Sequence, residues 1–228
     1  MDLVASFVPD GARLLDVGSD HAYLPIALLQ EGKIEAAIAG EVVEGPYQSA
    51  LQNVADNGLE NKIEVRLANG LAAFEPTDGI SCITIAGMGG RLIADILAAG
   101  LVKLASVSRL VLQPNNREDE LRAWLVDNDF RIVDEAILEE NEKFYEILVV
   151  EQGSQELSAK ELRFGPYLMQ EQAPAFVQKW SKEVEKLAFA LEQVPVENQS
   201  ARASLEERIA QIKEVLHVSK WSHQTLWS

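Results

Sequence analysis

The chain has 228 residues, 47% hydrophobic and 25% charged, the proportions of a folded globular protein of one or two domains, which excludes wholesale disorder. No run of about 18 apolar residues occurs, which excludes a spanning helix, and the acidic Asp2 ahead of a short apolar stretch argues against a secretory signal and for a cytoplasmic chain. The net charge of −16 disfavours indiscriminate nucleic-acid binding, but residues 1–153 hold 11 basic and 26 acidic groups (net −15) and residues 154–228 hold 9 and 10 (net −1), so a polyanion would meet least repulsion in the last third.

In chain order, short apolar runs alternate with helical patterns. Residues 14–17 read as a strand stopped by Gly18, and 23–29 as a helix that tolerates Pro25 in its first turn. A second strand over 35–42 precedes a helix over 45–57, which the Asn57-Gly58 pair ends. Residues 63–67 alternate as a third strand, 80–86 form a fourth, and 91–97 a helix. A fifth strand over 109–113 leads to a helix over 118–126. The lone Cys82 forbids an internal disulfide and reads as packing within the fourth strand.

After residue 130 the rhythm changes. Apolar runs at 130–138 and 144–150 are separated by about six polar residues, too few for a parallel crossover, so they must be antiparallel neighbours. Five strand–helix units and a hairpin predict an α/β fold: a mainly parallel seven-stranded sheet, helices on both faces, over residues 1–153. Residues 154–228 then read as helical. Trp180, Val184, Leu187, Leu191 and Val194 are spaced 4, 3, 4, 3, and Leu205, Ile209, Ile212 and Leu216 are spaced 4, 3, 4, a self-burying coiled-coil hairpin. Residues 163–167 would join it to the first domain. The closing residues 221–228 fit neither pattern and carry no functional assignment.

Ligands of such sheets sit at the carboxyl ends of the strands. The first strand ends Asp16-Val-Gly18-Ser19-Asp20-His21. The second and third glycines of a dinucleotide fingerprint are missing and an acid stands among the residues, so the loop suits a nucleoside with a cationic part better than a diphosphate. Glu41, 25 residues after Asp16, stands where an acid would accept hydrogen bonds from both ribose hydroxyls. Asn69-Gly70 offers an amide at the third strand end. Ala86-Gly87-Met88-Gly89-Gly90 closes the fourth strand with three glycines in four residues, costly in entropy unless something must approach the backbone. Gln113 and Asn115 flank Pro114 at the fifth. A turn glycine, an acid, an amide, a glycine cluster and further amides thus line one sheet edge.

This constellation resembles the class I S-adenosylmethionine-dependent methyltransferases. More closely it resembles the TrmK family, bacterial tRNA (adenine-22, N1)-methyltransferases, on LLDVGSDHAYLPI (14–26), AGEVVEGPYQSA (39–50), IAGMGG (85–90), LQPNNREDELRAWL (112–125) and KFYEILVVE (143–151). The resemblance implies S-adenosyl-L-methionine as cofactor and tRNA as partner; a class I methyltransferase acting on a small molecule or protein is the alternative, and the scattered histidines and lone cysteine point to no metal and the lack of a long apolar run to no membrane. It implies that Asp16, Gly18, Ser19, Asp20 and His21 border the methionine and sulfonium, that Glu41 holds the ribose, and that Val42 packs on adenine. Asn69, where an acid often stands, and Gly70 would read the adenine edge. Ala86 to Gly89 would lie between cofactor and target base. Gly87, Met88 and Gly89 with Gln113 and Asn115 would hold that base, and Tyr145 would stack on it. Arg163, Lys179, Lys182, Lys186, Arg202, Arg208 and Lys213 are the expected phosphate contacts in the helical third. Monomer and dimer are both open.

Overall fold

A computed structural model describes residues 1–222. The strands are β1 (Ala12–Val17), β2 (Ile34–Glu41), β3 (Ile63–Leu67), β4 (Cys82–Met88), β5 (Arg109–Pro114), β6 (Phe130–Glu140) and β7 (Lys143–Gln152). They form one sheet in the order β3-β2-β1-β4-β5-β7-β6. The pairs β1–β2, β2–β3, β1–β4 and β4–β5 are parallel, and β7 runs antiparallel to β5. The expected seven-stranded class I sheet is therefore present. Its strand order reverses direction between β1 and β4, and that topological switch point is where open α/β sheets bind ligands.

The inner strands are apolar on both faces because helices cover both. Leu14, Leu15, Ile83, Ile85, Val111 and Leu112 are all fully buried. The helices α2 (Tyr23–Gln30), α3 (Glu44–Asp56), α4 (Gly90–Ala99) and α5 (Glu118–Asp127) link successive strands. In α4 the apolar stripe of Ile93, Ala94 and Leu97 is the buried face. A short α1 (Asp2–Phe7), unforeseen in the sequence, buries Val4; Lys33 Nζ caps its last turn on the carbonyls of Ala5 and Ser6 at 2.8 and 3.0 Å.

Three expectations are corrected. The crossover from β3 to β4 carries no α-helix, only 3₁₀ turns at Gly70–Ala73 and Pro76–Asp78, so there are four strand–helix units rather than five. The loop between β6 and β7 is two residues, Asn141 and Glu142, both left-handed at φ 51° and 63°, the conformation whose twist matches a tight hairpin. The strands thus continue through the polar residues assigned to the loop. Finally, β4 runs two residues further, into the glycine box.

Contacts divide the chain into two compact units. The first comprises Met1–Glu135 and Glu146–Arg163; the second comprises Ala136–Tyr145 and the described residues from Phe164 onward. Besides the hairpin tip, the second unit holds α7 (Pro166–Glu171), α8 (Pro174–Gln193) and α9 (Gln199–Ser222); α6 (Ala159–Phe164) ends at the boundary. Helices α8 and α9 are antiparallel. Gln172, just before α8, donates to the carbonyl of Val215 near the far end of α9, while Arg202 at the start of α9 donates to the carbonyls of Leu191 and Val194 at the end of α8. Their seam buries Trp180, Leu187 and Ile212 with Phe164, Leu168, Phe176 and Val215, and the rings of Phe164 and Trp180 meet edge-on at 4.5 Å. The tail assignment for 221–228 begins in the last turn of α9 and from 223 onward lies outside the described residues.

Candidate active site

The first unit brings the carboxyl ends of β1, β2, β3, β4 and β5 to one edge of the sheet, so Gly18, Glu41, Asn69, Gly87 and Gln113 share that rim. Gly18 sits at the switch point with φ +66°, and an added Cβ would fall 2.5 Å from Met88 Cε of the neighbouring strand. The left-handed backbone favours glycine here, and a larger residue would also have to push the Met88 side chain aside.

Beyond Gly18 the loop is held in an unfavourable conformation. Asp20, His21 and Ala22 are left-handed in succession, at φ 45°, 70° and 63°. Non-glycine residues take that conformation only where their surroundings impose it. Here the amides of Gly18 and Ser19 both bond to Gly40 O, at 2.9 and 3.2 Å, and Asn53 Nδ2 donates to His21 O at 3.0 Å. Buried Asp16 accepts from Ser19 Oγ at 2.6 Å and from Thr84 Oγ1 at 2.5 Å. Burial raises the Asp16 carboxyl above the ordinary range, and the two hydroxyl bonds oppose the rise. Asp16 thus fastens the loop to β4 with both of its oxygens, while Asp20 is 86% exposed and 3.4 Å from His21 Nε2.

Glu41 completes the loop's support and leaves something over. Only 5% exposed, its carboxylate lies beside the backbone amides of His21 and Asp20, which favour its charged form. Burial raises its pKa, the His21 amide opposes the rise, and the neighbouring Asp16 and Asp20 charges add to it. Yet Oε1 of Glu41 is buried with no hydrogen-bond partner. A buried carboxyl oxygen without a donor carries a desolvation cost that a ligand's hydroxyl could offset. Beside it, Val42 and Val43 are 60% and 56% exposed, apolar side chains facing out at a strand end. Asn69 is exposed and Gly70 buried, and both border a cavity of about 430 Å³ against Leu92, Asp95 and Ile96 of α4.

On the other side of the switch point Ala86, Met88 and Gly89 are half-buried and Gly87 is exposed. Gly87 has φ +75° and nothing within 4 Å of where a Cβ would stand. The side-chain amides of Gln113 and Asn115 are engaged with its peptide, at 2.9 and 2.7 Å. Tyr145 belongs to the second unit, in the β6–β7 tip. The sequence did not point to Thr84 or Asn53, which shape the site from neighbouring elements. A threonine inside the apolar run of β4 was the one available signal. A ribose-bearing ligand fits this rim: an orphaned buried carboxylate oxygen, an exposed apolar pair next to it, and at Gly87 a glycine with no side chain above it.

A family model described as tRNA (adenine(22)-N(1))-methyltransferase, TrmK, matches residues 14–214. The tRNA (adenine(22)-N(1))-methyltransferase of Bacillus subtilis (strain 168) is 40% identical over 228 residues, 95% of each chain. A crystal structure of a Streptococcus pneumoniae protein, provisionally described as a tRNA (m1A22) methyltransferase, superposes with a TM-score of 0.93 at 68% identity, covering 95% of this chain and 97% of that one. The structure of that protein in complex with S-adenosyl-L-methionine superposes at 0.88 with 67% identity over the same shares. On the sheet, its rim and these matches together, the chain belongs to the TrmK family of tRNA (adenine(22)-N(1))-methyltransferases.

Proposed function

We infer that this chain transfers a methyl group from S-adenosyl-L-methionine to N1 of adenine 22 in tRNA, within the cytoplasm. The observation that carries the reading is the buried, partnerless Oε1 of Glu41 at the rim of the switch point, supported by family membership. Glu41 would accept from the ribose hydroxyls and Val42 would pack on the adenine of the cofactor, with Asn69 and Gly70 at that adenine's edge. Asp16, Gly18, Ser19, Asp20 and His21 would border its methionine end, and Ala86 and Gly87 would separate it from the target base.

When bound, the cofactor supplies a methyl group already attached to a good leaving group, so the protein's tasks are alignment and exclusion of water. Neutral adenine has a free lone pair on N1 and needs no proton removed before it attacks; no general base is required. Because N1 lies on the pairing edge, the nucleotide must leave its stack, at a cost of a few kcal/mol. Gly87, Met88 and Gly89 would receive it, with Gln113 and Asn115 behind them and Tyr145 as stacking partner. The exposed Asp20 carboxylate would stabilise the positive charge that develops on the methylated base.

The helical third would grip the tRNA through phosphate contacts. Lys179, Lys182, Lys186, Arg208 and Lys213 project from α8 and α9, with Arg163 at the end of the first unit. Arg202 would join them through the rest of its guanidinium, since Nη1 caps the carbonyls of Leu191 and Val194.

The test is mass mapping of nucleosides after incubating purified enzyme, S-adenosyl-L-methionine and unmodified tRNA. The expected result is 1-methyladenosine at position 22 alone. Methylation elsewhere on the tRNA, or of a small molecule or protein and not of tRNA, would overturn the reading.

A further inference from the structure

Gly87 is the extra residue in the β4–β5 ladder: Ala86 pairs with Gln113 and Met88 with Pro114, and nothing stands opposite Gly87. A bulged residue drops out of the ladder, so its N–H and C=O need partners elsewhere. Both are supplied from the end of β5. Gln113 Oε1 accepts from Gly87 N–H at 2.9 Å, and Asn115 Nδ2 donates to Gly87 O at 2.7 Å. The two amides also hold each other: Gln113 Nε2 donates to Asn115 Oδ1 at 3.1 Å and to Pro114 O at 3.0 Å. Asn115 N–H adds a bond to Met88 O at 2.7 Å. This uses both hydrogens of the Gln113 amide and one of Asn115's, and leaves one N–H on Asn115 and one lone pair on each amide oxygen.

We propose that Gln113 and Asn115 are positioning residues that act through the Gly87 peptide, holding a side-chain-free ledge at the switch point rather than reading the target base themselves. This rests on the methyl-transfer reading above. The polarity of the brace is fixed. Gln113 must turn its oxygen to the Gly87 amide, and Asn115 must turn its nitrogen to the Gly87 carbonyl. Replacing Asn115 by aspartate keeps an acceptor for Gln113 but sets a carboxylate oxygen against the Gly87 carbonyl. Were Asn115 instead an acceptor for the adenine amino group, aspartate would serve as well as asparagine.

The decisive comparison is Asn115→Asp and Gln113→Ala against wild type. Turnover on tRNA should fall about 30-fold or more in each, with the KM for S-adenosyl-L-methionine within about threefold, since a displaced ledge spoils alignment and not cofactor capture. Amide hydrogen exchange at Gly87 supplies a readout independent of turnover, and it should quicken about tenfold or more in Gln113→Ala. If Asn115→Asp fails to fold, Gln113→Ala carries both measurements. Near-normal turnover in Asn115→Asp, or unchanged Gly87 exchange in Gln113→Ala, would overturn the brace. A wild-type enzyme inactive on tRNA would overturn the methyl-transfer reading, and Gly87 exchange would still decide whether the brace exists.

Discussion

Two clusters of buried charge lie in the first unit, and they are finished differently. In one, Arg122 of α5 is wholly enclosed. Its Nε donates to Glu135 Oε1 at 2.7 Å, Nη2 to Glu146 Oε2 at 2.5 Å and Nη1 to Leu162 O at 3.2 Å, tying α5 to β6, β7 and α6. In the other, at the rim, Asp16 has both oxygens filled but Glu41 has one left bare. The closed cluster can only hold the fold together. The open one carries a desolvation cost that its own neighbours do not offset, and a cost left standing at a strand end is what a binding site looks like before its ligand arrives.

The contrast can be broken first at the closed end. Arg122→Leu would take the guanidinium away from two buried carboxylates, Glu135 and Glu146. Unfolding by urea should show a loss of about 3–5 kcal/mol, or no stable fold at all. A smaller effect marks a third, half-exposed cluster, where Arg66 bonds Asp78 at 2.6 and 3.0 Å and Glu64 at 2.8 Å. The Arg66 bonds hold the Asp78 carboxyl down to about 2 from its ordinary 3.8. A depressed carboxyl contributes stability that is present above its unfolded value and lost as pH falls toward the folded one. Asp78→Asn should therefore be about 1 kcal/mol less stable than wild type at neutral pH. The difference should fade between pH 4 and pH 2 in thermal melts.

The same contrast explains what could be read from the chain alone. Every strand announced itself, because strands covered on both faces must be apolar and their ends must turn. The rim followed from Gly18, Glu41 and Gly87, whose places at strand ends needed only order along the chain. What stayed hidden depends on contacts distant in sequence. Arg122 sits in ELRAWL as one more polar position of an amphipathic helix, and Glu135 and Glu146 look like ordinary interruptions of apolar strands. Only the fold brings both carboxylates within 3 Å of the Arg122 guanidinium. Three successive left-handed residues at Asp20, His21 and Ala22 have no local signature, since they are imposed by Gly40, Asn53 and Glu41. The Gly87 bulge was hidden for the same reason: a glycine box signals close approach, but the brace behind it is visible only once β5 lies alongside. In the second unit the heptad stripe reported the seam of α8 and α9 but not Val215, which lies off the repeat and is buried.

If Glu41 Oε1 accepts from a ribose, calorimetric titration of S-adenosyl-L-methionine into wild type and Glu41→Gln will separate the two proteins. Glutamine keeps an oxygen for the backbone amides of the loop but cannot accept from both hydroxyls. Because the folded pKa of Glu41 is raised, its ionised form costs stability at pH values above the ordinary carboxyl range, so the variant should melt no lower than wild type at pH 7. Binding should be at least about tenfold weaker, some 1.4 kcal/mol, in that fully folded variant. Affinity within about twofold of wild type would contradict it.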